Sequence, residues 1–204
     1  MRVKIYSKML GALSILIIFY SMFFSDAGNK RINIWADIWG QKSSLETVPG
    51  TITLDMDRER EKVSIAKWVS RRYRVSYKPT KEIVNIAFNA SDIFNIDAHL
   101  IIAIIAIESS FNPLAESSAG AQGLMQIMPK VHKEKFEKHG GFAKILEVRT
   151  NVFVGTEILS NYYRRYGSYR RALLAYVGVR QSSKSRYPDK VLRIQKRLKK
   201  MVKG

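Results

Sequence analysis

Apolar residues recur three and four positions apart over most of the chain, the period of helices that pack by one face. Between residues 57 and 77, Val63, Ile65, Ala66, Val69 and Tyr73 return at that spacing among many charges, which predicts an amphipathic helix. Pro79 is expected to break it, and Thr80 to cap a following helix that carries Ile83, Val84, Ile86, Ala87 and Phe88 and runs down near Asn95. Asp97 is placed to cap the next. That one is different in kind, because Leu100 to Ile107 is eight consecutive apolar residues closed by Glu108. The run is too short to span a bilayer and reads as a buried segment.

Asn112-Pro113 prevents further helix, and Gly120 and Gly123 mark a loop whose backbone comes close to something. Pro129 is expected to open a helix to about Lys138, ended by Gly140-Gly141. Asn151 to Tyr166 presents Val154, Ile158, Leu159, Tyr162 and Tyr163, with Gly167 as its stop. Ser168 is expected to cap a short helix with Tyr169, Ala172, Leu173 and Tyr176 on one face. The last helix, Pro188 to Val202, carries Val191, Ile194, Leu198 and Met201 or Val202 as its stripe. No segment alternates convincingly with the period of a strand, so the expected fold class is all-α.

The N-terminal third adds an address. Arg2, Lys4 and Lys8 precede 16 uncharged residues, Met9 to Phe24, and then Ser25-Asp26-Ala27. Residues 1–27 read as an export signal cleaved after Ala27, or as an uncleaved anchor. Either way the remainder is expected outside the cytoplasm, periplasmic or attached to the outer face of the cytoplasmic membrane. Residues 28–55, with Gly40, Pro49 and Gly50 as breakers and Trp35 and Trp39 four apart, read as a linker or short arm. The catalytic domain is expected over 56–204.

The 204 residues are 46% apolar and 25% charged, ordinary globular proportions that exclude wholesale disorder. There is no cysteine, which excludes disulfides, thiolate metal sites and a cysteine nucleophile. Net charge is +18; the leader contributes three basic residues and one acidic, leaving +16 for the rest. That balance suits an anionic partner or surface, or is simply solubilising charge. Nine basic residues between Lys184 and Lys203 stand against Asp189 alone. They are either a solvated face or an attraction to anionic wall or membrane; nucleic acid suits an exported chain least. His99, His132 and His139 show no metal-ligand spacing, and no cofactor is expected.

Glu108 is the candidate for chemistry. Low-dielectric surroundings hold a carboxyl partly protonated, as general acid catalysis on a glycosidic oxygen requires. Against that stands the commoner fate of an isolated glutamate, a solvated helix end. Sugar hydrolases usually carry two carboxylates. Here only Glu116 follows nearby, in a polar stretch, so no second positioned acid is evident.

The run Glu108-Ser109-x-Phe111-Asn112-Pro113-x-Ala115-x-Ser117-x-x-Gly120-Ala121-x-Gly123-Leu124-Met125-Gln126-Ile127-Met128-Pro129 resembles the signature of the family 1 lytic transglycosylases, the soluble-lytic-transglycosylase-like domains. Asn151-x-x-x-Gly155-x-x-x-Leu159 is similar to that family's Asn-Ile-x-x-Gly-x-x-Tyr-Leu helix, and Ala175-Tyr176 to the start of its Ala-Tyr-Asn motif. The resemblance covers roughly residues 80–200. Ile158 stands where the family usually has Tyr, a packing change; Val177 stands where it has Asn, which bears on substrate detail more than on the reaction.

The resemblance implies a lysozyme-like, goose-type helical domain cleaving the β-1,4 bond from N-acetylmuramic acid to N-acetylglucosamine in peptidoglycan glycan strands. One carboxyl group, Glu108, would serve as acid and then base, with the muramyl 6-hydroxyl closing onto C1 to give a 1,6-anhydro product. An intramolecular nucleophile would explain why no second carboxylate has to hold a water. By the same resemblance Ser117, Gln126 and Met128 would line the cleft beside Glu108. Tyr176 would approach the acid, where its phenol could orient the carboxyl; core packing is the alternative for Tyr176. A goose-type muramidase, which hydrolyses, and a non-catalytic peptidoglycan-binding protein remain the competing functions.

Overall fold

The computed structural model describes residues 49–182 and 184–202, so the expected leader and most of the expected arm lie outside the described residues. Seven α-helices follow in order among them: α1 (Pro49–Tyr73), α2 (Tyr77–Phe94), α3 (Ala98–Glu108), α4 (Lys133–Lys138), α5 (Val148–Tyr166), α6 (Tyr169–Tyr176) and α7 (Tyr187–Val202). A 3₁₀ turn, Phe142–Lys144, leads into α5. Extended pairing among the described residues is limited to two isolated bridges, Glu116 with Gln122 and Gln122 with Ile127. The all-α expectation holds.

The chain divides into two compact units, Met1–Thr53 and Leu54–Gly204, and the core belongs to the second. α3 is its axis. Leu100 to Ala106 are all buried, so the helix meets apolar partners on every side, as its unpatterned sequence requires. α2 lays Ile83, Val84, Ala87 and Phe88 against it, and α7 covers it with Val191 and Leu198. α5 packs on α2 and α6 through Val152, Phe153, Val154, Ile158 and Leu159.

Caps hold α3 at both ends. The Asp97 carboxylate accepts from Leu100 N at 3.1 Å, the N-cap expected from sequence. Its second oxygen, Oδ2, takes Lys199 Nζ of α7 at 2.5 Å; burial pushes the carboxyl up, but hydrogen bonds from His99, Lys199 and Gln195 together outweigh it and hold the group well below its usual range. Asn95 ends α2 in the left-handed conformation, φ 54°. At the other end the Ser109 N–H returns to Ile105 O at 3.1 Å.

Several boundaries differ from expectation for local reasons. The turn-rich stretch 28–55 is already helical from Pro49, since proline fits a first helical turn whose N–H has no partner to lose. Pro79 does not break a helix for the same reason: it sits in the first turn of α2. Thr80 is no cap, because its hydroxyl donates to Ser76 O at 2.7 Å from a buried position. The helix expected from Pro129 begins only at Lys133, after a turn in which Val131 N and His132 N both return to Met128 O. Ser168 stands at the N-cap of α6 without a side-chain cap bond.

Candidate active site

The carboxyl of Glu108 emerges where α3 ends and lines a cleft of about 410 Å³. Ser117, Gln126, Met128, His132, Tyr162 and Tyr176 line it with Glu108. The loop between α3 and α4 forms one wall. It is shaped by paired backbone bonds, Gln122 N to Ile127 O at 2.9 Å and Ile127 N to Gln122 O at 3.1 Å. The Ser117 hydroxyl accepts from Ala121 N at 3.0 Å. Gln126, at φ 48°, turns its amide inward to donate to Ala115 O and Gly123 O at 2.9 and 3.1 Å.

One side chain from α5 locks that loop. Asn151, 1% exposed, accepts from Met125 N at 2.8 Å and donates to Gln122 O and Ile145 O at 3.0 and 2.9 Å. Two glycines make room for the contact. A Cβ on Gly123 would lie 2.1 Å from Asn151 Nδ2, and one on Gly155 would lie 2.5 Å from Met125 Sδ. Both positions demand glycine because the loop and α5 touch there. Met125 is therefore a packing residue, while Met128 borders the cleft.

Burial pushes the Glu108 carboxyl above its ordinary range. A single hydrogen bond opposes that push: the Tyr187 phenol donates to Glu108 Oε1 at 2.5 Å. Among the described residues no lysine or arginine lines the cleft, and neither does a second carboxylate. Glu116 is exposed on the outer side of the loop, with Oε1 receiving the Gln122 amide at 3.3 Å. Burial holds the Tyr187 phenol far above its usual range, and the neighbouring Glu108 charge adds to this, so it remains a donor. The arrangement can give one proton and take one back.

Ser117, Gln126, Met128 and Tyr176 are thus brought together around Glu108, but the expected partner of the acid is corrected. The Tyr176 hydroxyl donates to Met125 O at 2.9 Å rather than to the carboxyl, because α6 aims it at the loop backbone. The residue that reaches the acid is Tyr187, the first of α7. The sequence reading opened that helix one residue later, and nothing local marks a pairing across 79 positions. Val177, at the end of α6, lines the cleft with an apolar surface. Ile158 is buried in the core, 3% exposed.

Of the histidines, His99 contacts Glu61 and Asp97 and His139 contacts Glu157, while His132 faces the cleft with burial pushing its ring toward the neutral form. Among the described residues no three metal-ligating side chains gather.

The transglycosylase SLT domain model matches residues 85–187, half of the chain, and its last matched residue is the tyrosine on the acid. The chain belongs to the transglycosylase SLT domain family. A transglycosylase of Enterobacteria phage PRD1 is 35% identical over 109 residues, 51% of this SLT-domain chain and 39% of the phage protein. The soluble lytic murein transglycosylase of Salmonella typhimurium is 40% identical over 73 residues, 33% of this chain and 11% of that one. The chain thus spans well under half the length of these relatives. Among solved structures, a 70-kDa soluble lytic transglycosylase in complex with bulgecin A aligns at 22% identity over 86% of this chain and 29% of its own, with a TM-score of 0.46.

Proposed function

We propose that this SLT-domain protein is an exported peptidoglycan lytic transglycosylase, acting on the β-1,4 bond from N-acetylmuramic acid to N-acetylglucosamine in peptidoglycan glycan strands. The observation that carries the reading is a half-buried carboxyl lining a cleft that, among the described residues, holds no second acid. Family membership and relatives named as murein transglycosylases support it.

The geometry supports a two-stroke use of one group. Glu108, protonated because it is buried, gives its proton to the glycosidic oxygen as the C1–O bond breaks. Its carboxylate, steadied by the Tyr187 hydrogen bond, then takes the proton of the muramyl 6-hydroxyl while that oxygen bonds to C1. The proton account closes on Glu108 and no water is consumed. A hydrolase of the inverting kind would need a second carboxylate roughly 6.5–9.5 Å from the acid to hold a water, and a retaining one a nucleophile about 5–5.5 Å away. Ser117, Gln126, Met128 and Tyr176 are assigned to substrate binding. Gln126 and Tyr176 act there mainly through the loop they brace.

The test is the mass of the products from purified sacculi. Muropeptides ending in 1,6-anhydromuramic acid, lighter by one water than their hydrolytic counterparts, are expected. Reducing muramic acid ends would assign the chain to the goose-type hydrolases instead. Glu108→Gln should lose at least about 10²-fold in rate, the scale of general acid catalysis, while remaining folded. Binding of sacculi with no product from wild type would leave only the non-catalytic role.

A further inference from the structure

α7 is sorted by face more sharply than its role over the core requires. Val191 and Leu198 are buried, with Ile194, Met201 and Val202 half-buried beside them. Lys190, Arg193, Lys196 and Lys200 are all exposed. At about 100° per residue these four fall within an arc of about 120°. Other cations of the helix are engaged: Lys199 with Asp97, and Arg197 over the Trp68 ring at 5.3 Å. Asp189, the helix's acid, is taken by Arg170 at 2.5 Å. Among the described residues no carboxylate forms an ion pair with any of the four.

A second feature adjoins the stripe. Lys200 lies about 20 Å along the helix from Tyr187, and the next two residues, Met201 and Val202, share a groove with Leu54, Arg58 and Arg60 of α1. Leu54, within the groove, is 71% exposed, and Met56, 51% exposed, flanks it one helical turn from Arg60. The acids of that rim are already paired: Asp57 with Arg60 and Glu61 with His99. Positive charge without ion-pair partners, only Arg193 lying near an acid in Asp189, therefore runs into large apolar side chains held in water.

We propose that the basic face of α7, with Leu54 and Met56 at its end, is a docking surface for an anionic phospholipid bilayer. A partner for this surface must offer anions and hydrocarbon together. A glycan strand offers sparse carboxylates and suits a cleft; a nucleic acid offers phosphates but nothing for Leu54 and Met56 to enter. Anionic headgroups over acyl chains offer both, and each Lys or Arg near such a surface adds attraction that salt screens. Among the described residues no helix is long and apolar enough to cross a membrane, so α7 would lie on the surface rather than pass through. The proposal is independent of the reaction at Glu108, and its test needs no turnover.

The chain has no cysteine, so a single Met56→Cys carrying an environment-sensitive dye reports this site alone. Total binding is not the readout, because an apolar leader would carry the full chain to any vesicle. With vesicles of equal parts phosphatidylglycerol and phosphatidylcholine, the dye should shift to the blue and lose access to an aqueous quencher. With pure phosphatidylcholine it should not. Combining Lys190→Gln, Arg193→Gln, Lys196→Gln and Lys200→Gln should weaken the response at least about tenfold, and about 1 M salt should abolish it. The same dye at exposed Asn89→Cys should stay in water throughout, and the variants' helical circular dichroism should match wild type. An equal shift on both vesicle types, or one indifferent to the four charges, overturns the proposal. A shift on purified sacculi but not on vesicles overturns it in favour of a wall polymer.

Discussion

Replacing Tyr187 by Phe separates what the phenol does to the acid from what burial does. In the wild type two influences oppose: burial disfavours the Glu108 carboxylate, and the 2.5 Å hydrogen bond from Tyr187 favours it, with burial the larger. A hydrogen bond to a charged group contributes about 1.5–3 kcal/mol, and about 1.4 kcal/mol corresponds to one pH unit of titration. Phe keeps the ring beside the acid and removes only the donor. The carboxylate then becomes harder to form, so the proton is retained to higher pH. In the proposed role as general acid Glu108 must be protonated to act, so the alkaline limb of kcat/KM should move up by about one to two pH units. Titration of the tyrosine itself does not intervene, because its phenol is held far above the usual range. Base strength in the second step rises as well, yet a less well oriented carboxyl should cost about tenfold in kcat. Initial rates of sacculus clearing across the active pH range, with melting curves as a fold control, measure both. An alkaline limb that stays in place or moves down in a folded Phe variant would refute the reasoning and reduce Tyr187 to packing.

Asn151→Ala should lower stability by at least about 2 kcal/mol, because it strips the side-chain partner from Met125 N and from Ile145 O and removes one of the two hydrogen bonds at Gln122 O; a melting temperature near wild type would count against the lock. Val177→Lys should move the alkaline limb of activity down and depress turnover at neutral pH, since a cation on the cleft wall favours the carboxylate; a pH profile like wild type would show that position 177 does not reach the acid. Glu108→Gln should gain stability relative to wild type as pH rises. The folded carboxyl titrates above its unfolded value of about 4.3, so the wild type is fully stabilised below that value and loses the contribution as pH climbs through the raised folded one. A Gln-minus-Glu difference in melting temperature that is flat with pH would deny the burial effect.

What could be read from sequence was whatever is encoded locally. Eight apolar residues ending in Glu108 announced a buried helix with a carboxyl at its tip, and Asp97 announced its cap. The glycines and Asn151 were legible as a motif, but not what they do. That a Cβ at Gly123 would strike Asn151, or one at Gly155 would strike Met125, depends on two segments meeting in space. Tyr187 was invisible for the same reason. It sits beside Pro188 at a helix start, an ordinary place for an aromatic, and its meaning comes from a carboxyl 79 positions away. The stripe of α7 was read correctly as apolar and basic faces. Which cations it spends internally, Lys199 on Asp97 and Arg197 on Trp68, emerged only from the packing. Prolines misled because their effect depends on position within a turn, as Pro79 in the first turn of α2 illustrates.

A chain with 35 lysines and arginines faces a difficulty in keeping one carboxyl neutral, since any nearby cation would ionise it. Three features of α3 and its surroundings meet that difficulty together. The helix is clothed in apolar side chains along its whole length, so Glu108 enters the cleft from low dielectric. Glu108 is the last residue of α3, where outward-facing carbonyls give partial negative charge and disfavour a carboxylate further. The cleft wall admits a serine, a glutamine, methionine, histidine and tyrosines, but no lysine or arginine among the described residues. Lys199 is instead drawn to Asp97, at the opposite end of the same helix. α7 thus serves both ends of α3 with opposite chemistry, a cation on the capping carboxylate at one end and a neutral donor on the acid at the other. A lysine in place of Tyr187 would also reach a carboxylate, but it would hold Glu108 ionised and leave no proton to give. The phenol supplies direction without charge, which is what the use proposed for Glu108, first as acid and then as base, needs from its neighbour.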